Sequence, residues 1–559
     1  MEGISNFQPW FSVYPENVPT KIDYPDVPLY SLLDASAEKY PQRIATVFLG
    51  KKTTYQTLAE QVNKFANGLK KLGVKPKTRV AIMLPNCPQY VISYYAVLKL
   101  GAIVVQTNPL YMENELIFQL NDAEAEFIVT LDLLSGRINK IIDRTLLKKV
   151  IITSIKDALP FPLNFLYPLS VKKQGLNMKV EPKPYITFFN QLLADNSVTF
   201  HPEKIEPNND LAVLQYTGGT TGTAKGVMLT HYNLVVNACQ VKSWMPDVAE
   251  GKEVVLSVVP FFHVYGMTVC LNLGMLIGAT NVMVPKFDIN QVLKFINRYK
   301  PTIFPGAPTM YIAIINHPKV TKFDLTSIKV CISGSAPLPL EVQEDFENIT
   351  KGNLVEGYGL SEASPVTHCT PIYGKRKAGI GLPLPDTDCK IIDLKSGEIL
   401  PPGEIGELLI KGPQVMHGYW NRPDETKEVL ADGWLKTGDI AVMDQEGFFS
   451  IVDRKKDMII AGGFNVYPRD VEEVLFQHPA VQEAVVIGVP DKYRGETVKA
   501  YIVLKENMSA SEEEIIYFCR ERLAKYKAPT IVEFRSELPK SMVGKVLRRI
   551  LAEEAKQSS

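Results

Sequence analysis

The sequence predicts an α/β protein carrying a smaller α+β unit at its C-terminus, and three observations support this. The first 200 residues alternate helix-like and strand-like patterns. An uncharged run at residues 254–285 has the continuous apolarity of parallel strands covered on both faces. Near Asp453 the rhythm changes to the short strands and amphipathic helices of a compact α+β unit. The length agrees, since 559 residues at about 150 per domain give roughly three or four domain-sized units.

The elements follow in order. AEQVNKFANGLKKLG, residues 59–73, spaces its apolar side chains for one helix face, and Gly73 is placed to end it. RVAIMLP reads as a buried strand, PQYVISYYAVLKLG as a helix and AIVVQTNP as the next strand. ENELIFQLNDA is again helical, before the strand EFIVTL. Strand–helix–strand repetition with short breaks predicts right-handed crossovers in a parallel sheet. The rhythm returns in VLKFINRYKPTIFPGAP, GYGLSEA and GELLIKGP.

The run VVLSVVPFFHVYGMTVCLNLGMLIGATNVMVP contains no Asp, Glu, Lys or Arg. It is long enough to cross a bilayer, which takes about 20 apolar residues. Pro260, His263, Gly266, Asn272, Gly274, Gly278 and Asn281 interrupt it. Two buried strands, VVLSVV and TNVMVP, around a buried helix, TVCLNLGMLIG, are therefore expected. Residues 157–183 break the rhythm, and four prolines there argue against a long regular helix. Phe161, Phe165, Leu166, Tyr167 and Leu169 precede Lys172, Lys173 and Lys179, which suits either a surface excursion or a membrane-interface patch over Phe161 to Lys173. In the last hundred residues VEEVLFQHP reads as a helix, VQEAVVIGV and TVKAYIVLK as strands, and SEEEIIYFCRERLAKY as a helix opened by a Ser511–Glu514 capping box.

Composition excludes some classes. Lys+Arg and Asp+Glu both number 61, which argues against a nucleic-acid binder with its net basic field. The seven cysteines have no metal-ligand spacing, so reduced cytoplasmic thiols are expected in place of a zinc site or disulfide framework. The opening MEGISNFQPWF lacks the basic and apolar regions of a signal peptide.

The densest chemical signal is TGGTTGTAKG at residues 217–226, with an apolar strand before it and VMLT returning after it. Gly218, Gly219 and Gly222 let backbone N–H groups turn toward an anion, Thr217, Thr220 and Thr221 add hydroxyls, and Lys225 adds charge. It is not a Walker A loop, because Ala224 stands where glycine must precede the lysine. Thr230 then caps HYNLVVNACQ.

With YGLSE (358–362), KTGD (436–439), DRKKD (453–457) and LPKSMVGKVLRR (538–549), this loop resembles the ordered signatures of the adenylate-forming enzymes, which include acyl-CoA synthetases, luciferases and adenylation domains. The resemblance runs from about Tyr30 to Arg549 and is nearest to bacterial long-chain fatty acid–CoA ligases. It implies an N-terminal AMP-binding domain over residues 1–452 that includes a small β-barrel-like subdomain, a hinge at 453–458 and a mobile C-terminal domain at 459–559. The implied reaction joins a fatty acid to AMP with release of pyrophosphate, then passes the acyl group to CoA.

In that reading Lys545 is the catalytic lysine, bridging carboxylate and α-phosphate, although Val543 replaces the serine many members carry. Glu362, with Thr217, would hold Mg2+, a hard cation content with one carboxylate and ATP oxygens. Tyr358 would lie against adenine, Asp439 would accept the ribose hydroxyls, and Arg454 would assist. Gly334, Ala336, Gly357, Gly359 and Ser361 would line the nucleotide. Lys456 takes the hinge position, and Gly462 and Gly463 would line the CoA channel. His263, Tyr265, Met267, Gly306 and Gly334 would wall the acyl pocket, with Met267 where some long-chain relatives place a gating tryptophan. A medium-chain or aryl acid ligase, a luciferase-like oxygenase and a carrier-loading enzyme stay open. Only about ten residues follow Arg549, so a free acceptor such as CoA is expected. Contact with the inner face of the membrane and pairing of two copies are the expected associations.

Overall fold

The computed structural model describes residues 8–175, 178–194, 196–217, 224–461, 464–491, 494–540 and 546–558. Its largest sheet has eight strands in the order Gly418–Tyr419, Lys225–Thr230, Leu211–Thr217, Ile103–Gln106, Arg79–Met83, Phe127–Leu131, Lys149–Thr153 and Ile186–Phe188. The strands from Leu211–Thr217 onward pair in parallel. Helices Tyr55–Lys71, Pro88–Lys99 and Glu113–Asp122 form where their apolar spacing predicts, and Gly73 turns the chain at φ 99°. The central strands are buried along almost their whole length, which is why they read as runs rich in Val and Ile, without polar alternation.

A second sheet joins Lys51–Thr54, Ile44–Phe48, Thr280–Met283 and Val254–Ser257. It continues through a bridge at Ile303 to Val330–Ser333, Asn353–Gly359, Val366–Cys369 and Leu382–Pro383. The uncharged run thus supplies two adjacent parallel strands, Val254–Ser257 and Thr280–Met283, as expected. Between them the buried helix starts as a π-helical segment, Gly266–Asn272, and tightens to α over Leu273–Leu276. Gly266 is required there, because a Cβ would stand 2.3 Å from the Pro260 carbonyl oxygen. Among the described residues no helix is long and apolar enough to cross a membrane.

An antiparallel sheet follows, built from Asp388–Ile392, Ile405–Lys411, Leu430–Ala431, Trp434–Met443 and Phe449–Arg454. The C-terminal unit has its own sheet of Ile459–Ala461, Phe464–Val466, Val481–Asp491, Gly495–Leu504 and Ile531–Phe534, and its own core around Val466, Val471, Val486 and Ile515. Its helix Glu512–Arg520 has the Ser511 capping box but ends short of the expected Tyr526. The chain turns there, and Tyr526 stacks on Phe464 at 4.6 Å while Lys527 reaches Asp470 at 2.6 Å.

The proline-rich stretch also departs from expectation. An eleven-residue helix, Leu163–Lys173, forms with Pro168 inside it. A proline removes one backbone donor, and on this exposed helix water can satisfy the carbonyl left over.

Candidate active site

Ligands of open α/β sheets bind beyond the carboxyl ends of the parallel strands. Thr217 ends strand Leu211–Thr217, Gly334 and Ala336 follow strand Val330–Ser333, and Tyr358 and Gly359 close strand Asn353–Gly359. Each of these motifs therefore sits at the carboxyl end of a strand, the first in the eight-stranded sheet and the other two on neighbouring strands of the second sheet.

The Gly/Thr motif joins two antiparallel strands, with Thr217 opposite Lys225. Gly218, Gly219, Thr220, Thr221 and Gly222 lie outside the described residues. Gly226 sits tightly packed, since a Cβ there would be 3.2 Å from the Tyr216 ring and 3.3 Å from Trp420. Lys225 makes an ion pair with Glu425, and its Nζ stands 5.0 Å over the Tyr419 ring.

Tyr358, Asp439 and Arg454 come together as the motifs imply. Asp439 and Arg454 face each other across neighbouring strands, with Arg454 Nε 3.3 Å from Asp439 Oδ1. Tyr358 Oη donates to Asp439 Oδ2 at 2.5 Å. Burial, reinforced by the adjacent Asp439 charge, pushes the Tyr358 phenol well up, so it stays protonated and donating. Beneath Tyr358, His368 meets the ring edge-on at 5.7 Å and in turn meets Phe449 at 4.9 Å. His368 is fully buried, and desolvation pushes its pKa down to about 3, so it packs as a neutral ring.

Ser361 and Glu362 open a short turn, Ser361–Ala363. Glu362 Oε1 accepts from Tyr419 Oη at 2.8 Å, and the Glu362 carbonyl accepts from Met416 N–H at 2.8 Å. Burial raises the Glu362 carboxyl pKa, while the Tyr419 hydrogen bond opposes the rise. No group of three or more His, Cys, Asp or Glu side chains that could hold a metal occurs among the described residues. A single half-buried carboxylate would fit a Mg2+ arriving on a nucleotide, which keeps phosphate and water ligands, better than a metal caged by protein alone.

The residues expected to wall an acyl pocket pack against one another. Tyr265 Oη donates to the Ile332 carbonyl at 2.6 Å, and its ring lies where a Cβ on Gly334 would be 3.2 Å away. Gly306 bridges to Ser333 and Gly334 N–H donates to the Gly306 carbonyl at 3.0 Å. Met267 is buried with its sulfur 3.2 Å from Gln106 Nε2, and His263 Nδ1 accepts from Tyr265 N–H at 3.3 Å. In this state the tyrosine ring fills the space over Gly334.

Lys456 lies in the exposed turn linking Phe449–Arg454 to Ile459–Ala461, the place where the chain passes from one sheet to another. Gly462, Gly463 and Lys545 lie outside the described residues. Arg548, three residues past Lys545, is held by Glu472 at 2.7 Å and lies 3.6 Å from Asp457.

Motif reading missed Tyr419, Glu425 and His368. A signal existed for the first two in GYWNRPDET, residues 418–426, whose crowded aromatic and charged side chains follow neither a helical nor a strand period. His368 gave none, because a lone histidine in an apolar strand is read as core.

Comparison with known proteins identifies the family. Residues 33–420 match the AMP-binding enzyme family and residues 470–545 its C-terminal domain. The chain belongs to the AMP-binding enzymes. It is 53% identical to a long-chain-fatty-acid–CoA ligase of Bacillus subtilis, over 98% of both chains. It is 41% identical to one of Escherichia coli O6:H1, again over 98% of both. Among solved structures, an anthranilate CoA ligase in complex with anthranoyl-AMP superposes with a TM-score of 0.84 at 27% identity, covering 96% of this chain and 98% of that one.

Proposed function

We propose that this chain is an ATP-dependent long-chain fatty acid–CoA ligase. In the first step a carboxylate oxygen bonds to the α-phosphorus of ATP and the bond to pyrophosphate breaks. In the second the CoA thiol, losing its proton, bonds to the acyl carbon and AMP leaves. Both first reactants are anions, so positive charge must converge on the phosphorus. Lys225 and Lys545 supply it, Glu362 with Thr217 would hold the Mg2+ that accompanies ATP, and Asp439 with Arg454 and Tyr358 holds the nucleoside. Rotation about Lys456 then exchanges Lys545 for the thiol channel at Gly462 and Gly463. Tyr265 shifts off Gly334 to admit the acyl chain.

The observation that carries the reading is full-length similarity to two ligases of that name together with the Tyr358–Asp439–Arg454 cluster. Pyrophosphate release across a series of acids, with and without CoA, tests it. Palmitate or oleate should give the highest kcat/KM and require CoA for turnover, and preference for aryl or medium-chain acids would overturn the long-chain assignment.

A second reading rests on the helix Leu163–Lys173. Phe161, Phe165 and Leu169 are 80%, 70% and 60% exposed at four-residue spacing, with Leu163 and Leu166 beside them. Exposed Lys156, Lys172 and Lys173 border this apolar stripe, and Lys51 reaches it through the Asp157 carbonyl. We propose that it rests on an anionic bilayer, from which fatty acid is drawn. Phe165→Ser/Leu169→Ser should cut co-sedimentation with phosphatidylglycerol vesicles while leaving ATP affinity intact, and undiminished sedimentation would remove the idea. Analytical ultracentrifugation of the same samples reads whether two copies pair.

A further inference from the structure

Tyr419 touches two charged side chains of the candidate site, Glu362 and Lys225. Its hydroxyl donates to Glu362 Oε1 at 2.8 Å, and the face of its ring lies 5.0 Å below Lys225 Nζ. The side chain is almost wholly buried, so neither contact is diluted by free rotation in water. Its backbone is fixed as well. Strand Gly418–Tyr419 pairs with the strand leaving the Gly/Thr hairpin, placing Tyr419 opposite Val227. Trp420 N–H donates to the Gly226 carbonyl at 2.8 Å, and Met416 N–H holds the Glu362 carbonyl at 2.8 Å. One short segment is therefore bonded to the hairpin on one side and to the Glu362 turn on the other.

The two contacts differ in kind. A phenol donating to a carboxylate selects one orientation of that carboxylate and favours its ionised form. An aromatic face attracts an ammonium without neutralising it. Lys225 is also paired with Glu425, which Arg422 approaches at 3.5 Å. Arg422 in turn meets Asp122 at 3.0 Å, and Tyr216 donates to Asp122 at 2.6 Å. An incoming phosphate can replace Glu425 as the partner of Lys225 without displacing the ring beneath it.

We propose that Tyr419 is a positioning residue for the ATP half-reaction, holding Glu362 through its hydroxyl and Lys225 through its ring face. This rests on the reading that Glu362 and Lys225 act on Mg2+-bound ATP. The test is equilibrium titration of the full chain with ATP, in Mg2+ and in EDTA, alongside kcat and KM for pyrophosphate release. Tyr419→Phe keeps the ring and loses the hydroxyl. It should lose about tenfold in MgATP affinity, the scale of one hydrogen bond to a charged group, and bind metal-free ATP within about twofold of the parent. Tyr419→Leu loses both contacts and should weaken metal-free ATP as well. Equal loss of MgATP and metal-free ATP in Tyr419→Phe would mean a structural role only, and unchanged MgATP affinity would also overturn the proposal. If Tyr419→Leu does not fold, Tyr419→Phe decides alone. Glu362→Gln and Lys225→Ala separate the two layers. If they leave MgATP affinity intact, the underlying site reading fails. If they weaken it and Tyr419→Phe does not, only the role of Tyr419 fails.

Discussion

Asp439→Asn separates nucleotide recognition from structural support. The residue is 6% exposed, with Tyr358 Oη at 2.5 Å on one carboxylate oxygen and Arg454 Nε at 3.3 Å from the other. Asparagine keeps the shape and one acceptor oxygen but loses the charge. Turning the Tyr358 bond from charge-assisted to neutral costs about 1 kcal/mol. The Arg454 contact is partly exposed to solvent, so its loss adds only about 0.5 kcal/mol. The protein should still fold. ATP should suffer more, because two ribose hydroxyls would meet a neutral amide in place of an ionised carboxylate. At about 1–1.5 kcal/mol for each bond, affinity should fall roughly 30- to 150-fold. Titration with ATP and with 2′,3′-dideoxy-ATP isolates that effect. The parent should prefer ATP by about this factor, and Asp439→Asn should lose the preference while binding the dideoxy analogue within about threefold of the parent. If both nucleotides weaken alike and the preference survives, Asp439 does not read the ribose.

Three other outcomes are expected. Lys545→Ala should lower adenylate formation at least about a hundredfold while sparing CoA transfer from supplied acyl-adenylate, and equal loss of both steps would contradict its role. His368 and His231 are buried, with desolvation lowering their pKa values from 6.5 to about 3 and about 4. The unfolded chain therefore takes up their protons first, and the stability they confer is complete above pH 6.5 and lost as pH falls toward 3. At pH 5 the cost should be about 2 kcal/mol for each, so denaturation of His368→Gln should depend less on pH between 7 and 5, and identical slopes would refute this. Gly266→Ala would push a methyl into the Pro260 and Val259 carbonyls, at 2.3 and 2.7 Å. A destabilisation of about 2–3 kcal/mol is expected, and an unchanged unfolding midpoint would refute the clash.

Much of the fold was legible because its causes are short-range. Thr230 and Ser511 cap their helices through side chains bonded to backbone three residues on. Val254–Ser257 and Thr280–Met283 carry no charge because both faces are covered, so a run suggestive of a membrane span reads as two strands and a helix. The Leu163–Lys173 helix was less legible. Pro168 counts against a helix locally, through a lost donor and a ring clash with the preceding turn, yet the helix forms around it with only Val171 buried.

The candidate site divides along the same line. Glu362, Asp439 and the Lys456 turn are singled out only by motifs that resemble those of a known family, while the Gly/Thr loop announces itself through its composition. Partner choice does not. Tyr419 lies 57 residues from the Glu362 it bonds, Tyr358 lies 81 from Asp439, and Arg422 lies 300 from Asp122. Those pairings depend on which strands neighbour one another, and strand order is set by the packing of the whole sheet. The sequence therefore states which chemistry is available, through backbone freedom and side-chain type. Sheet order decides which groups meet, because a hydrogen bond or an ion pair acts over about 3–4 Å and only the assembled fold brings such distant residues that close.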